Sequence, residues 1–205
     1  MRRFLTATVA LVALIAISLQ ADAHQIVATV GYANSSTPEH GTEVSNYVFD
    51  AGGGYAAGLR IDLERQHFWF GPAFAFWNNL TGDPDPNANS SYFQAELGGR
   101  ISARTHTVPA IYGGVGAGYT FSHGEFVPKF FGGKETFDGD FPTGSAHFGV
   151  KTPSQTTGVG LVGEVSYSFP LSKPSGRDAV GPARAFLVQI GIVLDIRLAN
   201  DRSSN

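Results

Sequence analysis

Asn46-Tyr47-Val48-Phe49-Asp50-Ala51-Gly52-Gly53-Gly54-Tyr55-Ala56-Ala57-Gly58-Leu59-Arg60-Ile61-Asp62-Leu63-Glu64 alternates over its whole length. The odd positions are aromatic, aliphatic or small, whereas the even ones carry Asn46, Asp50, Arg60, Asp62, Glu64 and most of the glycines. A period of two marks one β-strand with an apolar face and a polar or small face. At about 3.3 Å per residue this strand far exceeds the roughly 5 to 6 residues usual in globular sheets. It has the length of a tilted bilayer-crossing strand with an extension beyond the membrane.

The N-terminus supports export. Arg2 and Arg3 precede an apolar run from Val9 to Leu19, followed by Ala21-Asp22-Ala23. This is the pattern of a cleaved signal peptide over residues 1–23, leaving 24–205 as one domain. The alternative, a helical anchor, needs about 20 apolar residues, and this run is shorter. The chain has no cysteine, which excludes a disulfide scaffold. Its formal net charge of −3 gives no electrostatic footprint for nucleic acid.

The alternation recurs over 25–34, 67–77, 91–104, 109–121, 156–169 and 184–198. With 46–64 these make seven strands, and an outer-membrane barrel needs an even number. Residues 143–150 supply the eighth, with Gly144, Ala146, Phe148 and Val150 opposite Thr143, Ser145, His147 and Gly149. The competing stretch 125–131 holds Pro128 and adjacent Phe130 and Phe131, which spoil the pattern. The connections then alternate short and long. Residues 65–66, 105–108 and 151–155 form tight turns; 35–45, 78–90, 122–142 and 170–183 form loops rich in Gly, Pro and Asn. The expected fold is an all-β, up-and-down antiparallel transmembrane barrel of eight strands.

The composition of the polar face separates this barrel from a secreted, lipocalin-like carrier, which alternates with apolar residues inside. A water-facing exterior needs long charged side chains. The four lysines, Lys129, Lys134, Lys151 and Lys173, instead fall in expected loops or turns. The polar faces hold mainly Gly, Ser, Thr and Ala, which suit a narrow bore. They also carry Asp50, Arg60, Asp62, Glu64, Glu96, Arg100, Arg104, Glu164, Asp195 and Arg197. Acid and base are expected to pair there as a bore charge network, because an unpaired buried charge is costly. Tyr32, Tyr47, Phe49, Tyr119, Phe121, Tyr167 and Phe169 lie near the outer strand ends, as in an aromatic girdle.

On these features the chain resembles the small eight-stranded outer-membrane barrels of the OmpA transmembrane domain and OmpX-like kind. The last strand adds Gln189-Ile190-Gly191-Ile192-Val193-Leu194-Asp195-Ile196. It has the spacing of the family's assembly signal, with Leu194 and Ile196 where the aromatics stand. The resemblance implies outer-membrane lipid and the assembly machinery as partners, together with a loop ligand of unknown identity.

The remaining motifs have simpler explanations than chemistry. Gly158-Val159-Gly160-Leu161-Val162-Gly163 fits a dinucleotide fingerprint, but strand-like sequence follows it where a helix is required. Asp83, Asp85 and Asn87 start like a calcium loop, yet Ala88 and Gln94 stand where Gly and Glu are needed. The six histidines lack metal-ligand spacing. His147 beside Ser145 is an acid–base candidate whose simpler role is a hydrogen-bonded bore histidine. Phe126, Phe130, Phe131, Phe137 and Phe141 either fold over the barrel mouth or extend the neighbouring strands. The sequence therefore points to a structural or surface-recognition protein, with no catalytic, cofactor or metal residues assigned. A narrow pore is the alternative.

Overall fold

In the computed structural model the chain is described over residues 23–36, 51–65, 67–79, 88–103, 109–126, 133, 135–152, 158–172 and 184–196. The strands are β1 (Ala23–Ser36), β2 (Ala51–Arg65), β3 (Phe68–Asn79), β4 (Ala88–Ala103), β5 (Ala110–Phe126), β6 (Glu135–Lys151), β7 (Val159–Pro170) and β8 (Arg184–Ile196). Each pairs antiparallel with its sequence neighbours, and β8 closes on β1, so no open sheet edge remains around the wall. The expected signal segment lies outside the described residues up to Ala23, where β1 begins, and so do 46–50 of the second expected strand.

The alternation sets the sidedness. Phe68, Phe74, Leu97 and Ile192 are exposed, while Arg100 and Glu164 are buried. A soluble barrel would have the reverse. Only hydrocarbon makes an outward belt of Val, Leu, Ile, Phe and Tyr favourable, because water would charge about 25 cal/mol for each Å² exposed. The carrier reading is thereby overturned, and the barrel spans a membrane. Tyr32, Tyr119, Phe121 and Tyr167 are exposed at the long-loop end, where a girdle belongs. Tyr47 and Phe49 lie outside the described residues.

Three features differ from the sequence reading. β6 is 17 residues long and starts at Glu135, well before the expected 143. Pro142 lies inside it because its carbonyl faces β7, accepting from the Leu171 N–H at 2.8 Å. The β6–β7 ladder otherwise stops at Thr143, so the missing N–H of Pro142 removes no bond to β5. β5 likewise continues to Phe126. The expected loop 122–142 is thus in large part a hairpin rising above the girdle; the backbone at Phe126, Phe137 and Phe141 continues the paired strands, while Phe130 and Phe131 lie outside the described residues.

Lys151 is the second difference. It ends β6 with its side chain buried, donating to Gln25 and lying 3.5 Å above the Trp69 ring, not in a turn. Its long aliphatic stem reaches inward while the ammonium meets an amide oxygen and a ring face.

The third difference is the filling of the bore. Small and charged residues are joined by large rings: Trp69, Trp77, Tyr92, Tyr112 and Phe141 are fully buried. Two apolar layers result. The layer toward the long loops packs Trp77 and Tyr92, stacked at 5.4 Å, with Ala33, Ala56, Ala185 and Leu187. The layer toward the short turns packs Trp69 and Tyr112, edge to face at 5.3 Å, with Val27, Val162 and Val193. Gly149 leaves the space for one of these rings. A Cβ on Gly149 would meet the Tyr112 ring at 2.5 Å.

Candidate functional site

Between the two apolar layers lies a polar layer. Arg60 and Asp62 are two apart on β2 and so share the bore face; their Nε–Oδ2 distance is 3.0 Å. Arg60 Nη1 also pairs with Glu164 of β7. The Tyr112 hydroxyl donates to Glu164 Oε2 at 2.6 Å, so that oxygen accepts from two strands. On β4, Arg100 and Glu96 approach to 3.5 Å, and Arg100 Nη1 lies 3.8 Å from Asp62 Oδ1.

His147 of β6 ties the acids together. Its Nδ1 is 3.2 Å from Glu164 Oε1, and its Nε2 is 2.9 Å from Glu96 Oε1 and 2.9 Å from the Ser145 oxygen. The layer thus sets Asp62, Glu96 and Glu164 against Arg60 and Arg100, with the His147 ring between two of the acids. Such pairing matters because one uncompensated buried charge costs on the order of several kcal/mol.

Ser145, His147 and Glu164 superficially form a nucleophile–base–acid line. The Ser145 hydroxyl, however, donates to Glu96 Oε2 at 2.5 Å. Its proton is directed at the acid rather than at the histidine. Gln94 donates to the same Glu96 oxygen at 2.8 Å, and Ser168 donates to Gln94 at 2.6 Å. These contacts form a positioning network rather than an armed nucleophile. The dinucleotide-like glycines lie at the start of β7, where strand follows directly, as the simpler explanation requires.

Of the charges named from sequence, Arg60, Asp62, Glu96, Arg100 and Glu164 meet in this layer. Glu64 lies nearer the turn end and accepts from Gln25 at 3.4 Å. The backbone N–H of Asp195 donates to the Gly158 carbonyl at 2.9 Å. Asp50, Arg104 and Arg197 lie outside the described residues. Sequence reasoning did not assign Tyr112, Gln94, Gln25 or Lys151 to the network. All four share the bore parity of their strands with the residues they contact, which was the available signal.

No family model matches the sequence, and no curated protein sequence matches it. Solved structures do match. Neisserial surface protein A has a TM-score of 0.61 at 13% identity, covering 84% of this chain and 97% of its own. Ail, the attachment invasion locus protein of Yersinia pestis, solved with the heparin analogue sucrose octasulfate, has a TM-score of 0.51 at 16% identity; 83% of this chain and 99% of Ail are covered. A major outer membrane protein of Thermus thermophilus has a TM-score of 0.51 at 8% identity, over 83% of this chain and 99% of that one. With its lipid-facing belt and ionic bore, the chain has the fold of the small eight-stranded bacterial outer-membrane barrels.

Proposed function

We propose that this protein is a non-enzymatic outer-membrane anchor whose surface segments carry recognition. The observation behind this reading is the filled bore. The Trp77–Tyr92 stack, the ionic layer and the Trp69–Tyr112 pair succeed one another along the axis, and the space between them is a chamber of about 40 Å³. Among the described residues, side chains so packed leave little room for a water column, which disfavours the narrow-pore alternative. The surface left for function is outside the membrane, on segments held by a rigid scaffold.

Among the described residues, the hairpin of β5 and β6 rises above the girdle. It presents His123, Glu125, Asp138 and Asp140. Ail carries a sulfated ligand on the same fold, whereas the acids here would repel one. Within this reading, residues 1–23 are removed on export, Gln189 to Ile196 is read by the assembly machinery, and lipid surrounds the belt.

Planar-bilayer recordings of the purified barrel test the reading. A quiet trace, with a band that migrates faster unheated than boiled in SDS, is the expected result. Discrete open steps from the heat-shifting protein would favour the pore.

A further inference from the structure

The wall is closed, but the hairpin above it keeps one edge. β5 is covered by β4 as far as the Ala88–Phe126 pair, so its far side is paired to the end of the strand. β6 differs. Its ladder with β7 starts at Thr143 opposite Pro170, whereas the strand itself begins at Glu135. One further rung exists, from the Leu171 N–H to the Pro142 carbonyl at 2.8 Å, and Pro142 has no N–H to return it. Beyond that rung nothing among the described residues pairs with β6 on its β7 side.

The phase of the ladder says which groups are left. The Pro142 carbonyl faces β7, and backbone groups alternate sides along a strand, so those of Asp140, Asp138 and Thr136 face the same way. Gly139 and Phe141 turn theirs to β5, opposite Ser122 and Thr120. The N–H and C=O groups of Asp140, Asp138 and Thr136 therefore form a row on which another extended strand can pair.

The side chains beside this row select its guest. The Asp138 side chain is 82% exposed, Asp140 shares its face, and His123 and Glu125 complete that face across the hairpin. Asp140 stands opposite Phe121, so the edge rises from the level of the girdle. A second copy of the barrel, pairing edge to edge, would bring these acids together, and like charges across a ladder destabilise it. Charges on an edge deter strands of that kind. A strand with basic side chains at every second position instead sets a cation beside each aspartate.

We propose that the β6 edge over residues 136–140 is a docking site for an extended basic segment of another protein, added as a strand with Lys or Arg beside Asp138 and Asp140. This site rests on the surface-recognition reading and gives it a partner; a barrel that stays quiet in bilayers yet takes no strand would refute the site alone.

Amide exchange in the purified full barrel in lipid nanodiscs, followed by NMR, tests the site with a short peptide of alternating Lys and Thr. In the free barrel the Thr136, Asp138 and Asp140 amides should exchange fast, and those of Gly139 and Phe141 slowly. The peptide should slow the first three and leave the other two unchanged. The same peptide N-methylated throughout keeps its charge but cannot add as a strand, and it should protect nothing. Asp138→Asn with Asp140→Asn should weaken peptide affinity, by up to about five-fold for each lost pair, while the variant keeps its heat-shifted band. Protection by the methylated peptide or by a Glu–Thr peptide, no protection by the Lys–Thr peptide, or undiminished affinity in the double variant overturns the proposal. Slow exchange at the three amides before any peptide is added, or protection that grows with barrel concentration alone, assigns the edge to the chain itself or to a second copy and overturns it equally.

Discussion

Arg60 on β2 and Glu164 on β7 form an ion pair across the bore, although their strands are not neighbours in the wall. The barrel is thus braced through its middle as well as around its circumference. Glu164→Leu would leave Asp62 as the one carboxylate paired with Arg60 and Glu96 as the one beside His147. Breaking one half of a buried pair costs about 3–5 kcal/mol, whereas replacing both halves by apolar residues of similar volume is often neutral. Urea unfolding from lipid vesicles should therefore show a large loss for Glu164→Leu and a partial recovery for Arg60→Met with Glu164→Leu. Equal losses in the single and double variants would contradict the brace.

Phe74 faces lipid in mid-strand, in contact with Phe93 of β4 at a ring distance of 6.1 Å. Phe74→Arg should cost about 2–4 kcal/mol in vesicles, the depth-dependent cost of a cation near the bilayer centre. Unchanged stability on the same unfolding assay would contradict the face assignment.

Gly149 makes room for the Tyr112 ring, whose hydroxyl reaches Glu164. Gly149→Val would displace that ring and loosen its edge-to-face contact with Trp69. Overpacking of this kind costs about 1–3 kcal/mol. The near-ultraviolet dichroism of the aromatic layer should change with it, while Gly163→Ala, at a position with nothing within 4 Å of the added carbon, should leave it alone.

His123 lies beyond Phe121 on the hairpin, outside the membrane span. Its Nδ1 is 2.7 Å from Asp138 Oδ1, and that hydrogen bond, with Glu125 behind it, raises its pKa above the ordinary histidine value. A raised folded-state pKa adds stability below the unfolded pKa and loses it as pH rises through the folded one. The pair is exposed, so the effect on unfolding is small. A histidine NMR titration should place His123 above a free histidine, and Asp138→Asn should lower it. No response to that substitution would contradict the pairing.

The wall of the barrel was legible because strand parity is a local property. Once Phe74 and Leu97 face lipid, Ala73 and Glu96 must face the bore. The filling of the bore was less legible, because it depends on which residues meet across the axis, and that depends on register and shear. Parity put Tyr92 and Tyr112 on the bore face, but it could not bring Tyr112 to Glu164 or Lys151 to Trp69. The N-terminal half of β6 was less legible, because Pro142 lies inside it; the strand tolerates that proline because the partner strand β7 ends beside it.

The central claim is the sidedness of the wall, and the absence of cysteine lets it be tested one site at a time. Spin labels placed singly at residues 93 to 97 of β4, in lipid vesicles, would report collision with dissolved oxygen. High oxygen access at 93, 95 and 97, with low access at 94 and 96, is the predicted result. The opposite phase, with 94 and 96 in lipid, would contradict the account.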